Sequence, residues 1–143
     1  MSTDAPAASR FGMAWIGLTL ALAVHVADEA LTGFLAVYNP TVQAIRRLVP
    51  LLPLPVFTFR LWLSLLVAAV CVLLALAVFS FRGARWMVPL AYVFGVIMLG
   101  NGLVHLAGSV YLWRPMPGVY SSPLLLAGAV YLLSRARRFR ATW

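Results

Sequence analysis

Apolar residues run along this chain in four long blocks, at about residues 11–38, 57–81, 86–113 and 119–134, with polar or proline-rich punctuation between them. A predominantly apolar run of about 20 residues is long enough to cross a bilayer as a helix. The pattern therefore predicts an all-α integral membrane bundle of about four transmembrane helices in a single domain, residues 11–134. Residues 1–10 are small and polar and read as a short disordered leader. The run that follows is too long for a signal peptide, carries an acidic pair, and has no evident small-residue cleavage site. Asn39-Pro40 is expected to stop the first span, because proline disfavours helix at the residue before it. Residues 41–56, with Pro50, Pro53 and Pro55, suit a short interfacial helix around Arg46 and Arg47. An extended apolar strap would follow, lying against the bundle as a lid or collar at its outer mouth. The fourth block is the shortest, which suits a tilted helix or one that begins below the interface.

Composition narrows the class. Of 143 residues, 64% are hydrophobic and 10% are charged, and the mean hydropathy is +0.97. Soluble domains are about half apolar and about one quarter charged, so a membrane protein is the class that fits. The net charge of +8 comes from arginine, since there is no lysine. In a soluble protein a pI near 11.1 would suggest nucleic acid. Here the arginines flank the apolar blocks, where they set orientation and meet anionic headgroups, so the expected partner is the lipid bilayer and not nucleic acid. With an even number of spans, Arg10, Arg82, Arg85, Arg135, Arg137, Arg138 and Arg140 share one side, against Arg46, Arg47, Arg60 and Arg114 on the other. Both termini, including the basic tail 135–143, are thus expected in the cytoplasm, in a multi-pass protein of the inner (cytoplasmic) membrane. The single cysteine, Cys71, precludes an internal disulfide and reads as a small packing residue.

The chemistry concentrates in the first span. His25, Asp28 and Glu29 lie three and four residues apart, so they share one helical face. Apart from Asp4, Asp28 and Glu29 are the only carboxylates in the chain. Ionisable groups in hydrocarbon are costly and mark functional sites by default. The third span adds Asn101 and His105, again four apart. The first and third spans run in the same direction. At about 1.5 Å per residue, His25 and Glu29 lie roughly 20 and 25 Å along their helix, and Asn101 and His105 roughly 21 and 27 Å along theirs. The depths match, so His25, Glu29, Asn101 and His105 are expected in one cavity, with Asp28 beside it. Glu29 is nearer His105 in depth than Asp28 is, which ranks it first as acid, base or ligand. A bland reading stands beside this one: Asn101 could simply join helices, and each histidine could be a satisfied interior residue. The second span, poor in polar residues, reads as scaffold.

His25-x-x-Asp28-Glu29, followed by Asn101-x-x-x-His105 and by a Pro117-Gly118-Val-Tyr120 segment, resembles the HXXEE family of small bacterial membrane proteins. Asp28 stands where that family usually has Glu. The resemblance implies a compact helical membrane fold whose motif residues form a candidate active site, with no substrate attached.

Three function classes remain open from sequence. One is an enzyme or ligand-binding protein for a small hydrophobic, lipid- or isoprenoid-like molecule. It would use either acid–base chemistry among these residues or a divalent metal such as zinc or iron on His25, Glu29 and His105. Another is a small proton-coupled transporter or proton relay. The third is an assembly subunit whose polar patch pairs with a partner helix. Homodimerisation through the bare second span is left open.

Overall fold

The computed structural model describes residues 4–142. The described residues are all helix and connecting turn, in five helices: α1 (Asp4–Thr32), α2 (Phe34–Leu48), α3 (Phe59–Phe81), α4 (Met87–Tyr111) and α5 (Ser122–Arg140). Segments within α1, α3 and α4 are long and apolar enough to cross a membrane, at Pro6–Thr32, Phe59–Phe81 and Met87–Tyr111.

Several boundaries differ from the sequence reading, each for a local reason. Helix α1 takes in residues 4–10 of the expected leader, because Ala8 and Phe11 already belong to the buried core; residues 1–3 lie outside the described part. The first helix ends at Thr32 and not at Tyr38. Gly33 adopts the left-handed conformation there, φ 79°, and starts a new helix in a new direction. Pro40 then sits inside α2 instead of ending anything. Helix α5 begins at Ser122 and runs on to Arg140, so most of the basic tail is helical. Its inward seam, Ser122, Leu125, Ala129, Leu132, Ala136 and Phe139, keeps a regular three-four spacing past the first arginines. Phe139 stacks on Phe11 at 5.3 Å, which holds the last turn in place. Cys71 is exposed on α3 and does not pack in the core.

Helix α1 is the hub. It packs against α3 on one side and α5 on the other, and α5 packs against α4. The buried positions of α1 include Phe11, Trp15, Leu18, Leu22, His25 and Glu29, again alternating steps of four and three. The last two members of this apolar seam are therefore the ionisable ones, and the same periodicity that buries Trp15 buries them. Trp15 also donates its indole N–H to the Leu73 carbonyl at 2.8 Å, tying α1 to α3. Most side chains of α3 face outward, as expected of a lipid-facing scaffold.

In the 41–56 segment the expected short helix around Arg46 and Arg47 is the end of α2, and an extended strap follows it. The strap after Leu48 is held by α2 itself. Asn39 pairs with the Phe57 backbone in both directions, at 2.9 and 3.1 Å, and the Tyr38 hydroxyl donates to the Pro55 carbonyl at 3.2 Å. Leu48 and Leu51 point away from the bundle.

In lipid, helices associate through close packing more than through the hydrophobic effect, and small residues allow that approach. Two glycines of α4, Gly95 and Gly102, sit two turns apart against Leu133 and Leu126 of α5; a Cβ at either would come within 2.8–2.9 Å of the leucine side chain. Gly100 has nothing within 4 Å of that position. Gly102→Leu should therefore cost about 1–3 kcal/mol through overpacking, whereas Gly100→Ala should be neutral or stabilising by up to about 1 kcal/mol from helix propensity. Thermal unfolding of the purified protein in detergent reads both; equal effects would show that α4 does not approach α5 through this face.

Candidate functional site

Seam spacing on α1 and α4 brings His25, Glu29 and His105 together inside the protein, 0%, 5% and 2% exposed respectively. Glu29 Oε1 lies 3.1 Å from His105 Nε2 and 3.6 Å from His25 Nε2. The two imidazole rings meet edge to face with centroids 4.9 Å apart. One potential ligand atom from each of the three residues falls within 4.8 Å of the others.

Asn101 and Asp28 join this group in different ways. The Asn101 side-chain N–H donates to His25 Nε2 at 3.2 Å. Asp28 turns away from Glu29 and accepts two bonds on Oδ2, from the Ser121 backbone N–H at 2.8 Å and from its hydroxyl at 2.7 Å. The same hydroxyl lies 2.8 Å from His25 Nδ1. A serine has a single O–H to donate. The carboxylate is nearer and more strongly attractive than the Gly118 carbonyl at 3.2 Å, so the proton goes to Asp28. The hydroxyl oxygen is then left to accept from His25 Nδ1–H. This network assigns the His25 tautomer with a bare Nε2, consistent with its accepting from Asn101. His25 Nε2 and Glu29 Oε1, both lone-pair atoms, thus face each other at 3.6 Å. The single lone pair of His25 Nε2 can take the Asn101 N–H or, in its place, a positive species shared with Glu29 Oε1, a proton or a metal ion. His105 Nδ1 is also buried without a hydrogen-bond partner.

The connection from α4 to α5 roofs this cluster. Met116 N–H donates to Ser109 Oγ at 2.8 Å, and Ser109 donates to the His105 carbonyl at 2.7 Å. Gly118 N–H reaches Thr32 Oγ1 at 3.3 Å. Gly118 has φ 84°, and a Cβ there would stand 3.0 Å from Glu29 Cγ and from His105 Cε1 and Nδ1. Only a bare backbone fits so close over the two side chains. Phe34, the first residue of α2, covers the side toward α3, with its ring 5.8 Å from both His105 and Trp62.

All five residues singled out from sequence are therefore in or beside one site. His25, Glu29 and His105 form the donor set that could hold a metal, Asn101 touches it through His25, and Asp28 stands behind His25. Sequence reasoning assigned no role to Ser121, Gly118, Thr32, Ser109 or Phe34. The Pro117-Gly118-Val-Tyr120 segment stands out in the sequence, but its contact with α1 arises from tertiary folding.

Substitutions at the roof should act on the site without touching its donors. Gly118→Ala incurs the left-handed cost, roughly 1–2 kcal/mol for a residue with a Cβ, plus displacement of the loop. Ser121→Ala removes a bond from His25, which is left buried, and one of two from the half-buried Asp28, at about 1–3 kcal/mol. Both should lower the thermal midpoint in detergent, while Ser134→Ala on the exposed side of α5 should not. A wild-type midpoint for Gly118→Ala would contradict the close roof.

Comparison with known proteins adds one finding. No curated protein and no solved structure matches the chain significantly. Residues 15–132, which include every residue of the site, match the family described as "Protein of unknown function with HXXEE motif". The motif-bearing α1, the Asn101–His105 pair of α4 and the roof all fall within that match, and the chain belongs to the HXXEE family.

Proposed function

We propose that this chain is a membrane-embedded enzyme acting on a small hydrophobic molecule, with a divalent metal such as zinc or iron held by His25, Glu29 and His105. The observation that carries this reading is the convergence of three buried donor atoms, from two helices, within 4.8 Å. Ligands about 2.1 Å from a tetrahedral ion stand about 3.4 Å apart. The 3.1 and 3.6 Å separations around Glu29 Oε1 bracket that spacing. Two histidines and one glutamate leave a coordination position open, which is the pattern of catalytic and not of structural zinc sites. Such an ion activates a water or polarises a substrate oxygen. Behind it, the Asp28–Ser121 pair fixes the tautomer of His25, the role that outer-shell carboxylates play for metal-bound histidines. Without an ion, the same residues support acid–base chemistry between a carboxyl and an imidazole.

A second reading, a proton relay in a small transporter, draws support from the unbroken chain of close contacts Asp28–Ser121–His25–Glu29–His105. Proton-gradient-driven uptake in proteoliposomes would favour it. Pairing with a partner helix draws less support, because the polar patch is enclosed by this chain's own helices.

The membrane disposition that suits this reading has four spans in the inner membrane, with α5 as the fourth and both termini cytoplasmic. Helix α5 is less apolar than the others, but its inward seam is enclosed by α1 and α4. The end of the bundle near Phe11 and Phe139 carries Arg10, Arg82, Arg85, Arg135, Arg137, Arg138 and Arg140, as the positive-inside rule requires of a cytoplasmic face. A C-terminal reporter fusion should be active as a cytoplasmic one; an external C-terminus would overturn this orientation.

Purified protein from cells supplied with zinc and iron should retain close to one equivalent of metal, measured by elemental mass spectrometry. Glu29→Gln should lose it, and Asp28→Asn should weaken metal affinity by about 10–100-fold. Val72→Ala on the outer face of α3 should change nothing. Wild-type protein with only trace metal, or Glu29→Gln protein with a full complement, would refute the metal reading.

A further inference from the structure

Two helices of this chain end in the same hydrogen-bonded turn with different residues at its critical position. At the end of α3, Ala84 N–H donates to the Phe79 carbonyl at 3.0 Å and Gly83 N–H to the Ser80 carbonyl at 3.1 Å, with Gly83 at φ 67°. At the end of α4, Arg114 N–H donates to the Ser109 carbonyl and Trp113 N–H to the Val110 carbonyl, both at 3.2 Å, with Trp113 at φ 50°. This is the Schellman turn, whose left-handed residue is normally glycine. A tryptophan there costs about 1–2 kcal/mol, and nothing within the chain offsets it, since Trp113 is 93% exposed. An aromatic anchor at the membrane interface could occupy the neighbouring position 112 with no such strain. The strained turn places Trp113 and Arg114 together on a shallow open groove of about 470 Å³, lined also by Ser109, Val110, Val119 and Tyr120.

We infer that this groove holds a single-chain amphiphile with a carboxylate head, a fatty acid in chemical class. Its chain lies along Val110 and Val119 between the Trp113 and Tyr120 rings, and its head meets the Arg114 guanidinium. The depression is shallow and open, with Val110, Trp113 and Tyr120 exposed, and its lining is mostly apolar, which suits one face of an acyl chain. Charge complementarity identifies the head. Asp28 is committed to Ser121 and Glu29 lies between two histidines, so Arg114 meets no carboxylate of this chain among the described residues. Its planar fork matches a carboxylate in bidentate fashion. The location ties the groove to the site. Ser109 bonds to the His105 carbonyl, and Tyr120 adjoins Ser121. Arg114 also lines a smaller cleft of about 270 Å³ with Thr32, Gly33 and Pro117, beside the roof over Glu29. The inference deepens the enzymatic reading by naming its substrate class; it rests on that reading for the purpose of binding and not for binding itself.

The test is photo-labelling of the full chain in phosphatidylcholine nanodiscs with a diazirine-bearing fatty acid, and in parallel with the matching fatty alcohol. The acid should label peptides containing Trp113 or Tyr120, and the alcohol should label them far less. Arg114→Gln should reduce acid labelling on the order of tenfold, the scale of one charge-assisted contact. Arg47→Gln on the exposed side of α2 should leave it unchanged. Trp113→Gly should reduce labelling while raising the thermal midpoint, because glycine suits the turn; this separates a ligand-facing role from a structural one. Equal labelling by alcohol and acid, no effect of Arg114→Gln, label concentrated on α3, or a lowered midpoint for Trp113→Gly would each overturn the inference. Protein that captures the acid yet retains no metal refutes the metal reading alone. Protein that retains metal and captures no acid refutes this inference alone.

Discussion

A carboxylate in an apolar interior must be paired or neutralised, because the desolvation of an isolated charge far exceeds what a small protein can offset. Glu29 is buried by the same periodicity that buries Phe11, Trp15, Leu18 and Leu22 on α1, so the helix cannot pack without taking it inside. The carboxylate meets His105 of α4 at 3.1 Å and, one turn back on α1, the bare Nε2 of His25 at 3.6 Å, which it can share only through a proton or a metal ion. Helices α1 and α4 otherwise meet mainly through the Trp15 and Phe94 rings, 5.4 Å apart, since α1 packs chiefly on α3 and α5. The histidine–glutamate cluster is the polar link between them.

The requirement propagates outward. His25 keeps a bare Nε2 toward Glu29 because Ser121 accepts its other nitrogen's proton, and Ser121 can do so because Asp28 takes the hydroxyl proton. Asp28 thus acts on the cluster through two intermediaries, which accounts for two adjacent carboxylates pointing different ways. Gly118 lies over Glu29 and His105 at a distance that admits no side chain. Roof, cluster and support form one hydrogen-bonded unit built from α1, α4 and the turn between α4 and α5.

Much of this was legible in the sequence where it depends on helical periodicity. The i, i+3, i+4 spacing of His25, Asp28 and Glu29, the i, i+4 spacing of Asn101 and His105, and their matching depths led to one site. The preference for Glu29 over Asp28 also followed from depth, and the structure places Glu29, not Asp28, against His105. What was not legible depends on tertiary contacts or on competition between local signals. Ser121 is an ordinary turn serine until α5 docks against α1. The break at Gly33 prevailed over Asn39-Pro40 because a left-handed glycine redirects the chain, whereas proline removes one backbone donor and clashes locally. The arginines after Ser134 suggested a free tail, but Ala136 and Phe139 extend the α5 seam and carry the helix to Arg140. Local charge gave way to packing.

The latch that Ser121 closes on Asp28 and His25 has a consequence for biogenesis. Helix α1 is synthesised first and carries two carboxylates and a histidine, yet its partners arrive with α4 and with the turn before the last helix. Until those segments emerge, α1 resides near the membrane with these groups unmatched, where an ionisable side chain is strongly disfavoured in hydrocarbon. The carboxylates of the first helix therefore find their partners only when α4 and the turn before α5 dock against it, so the site is completed by the docking of its C-terminal elements.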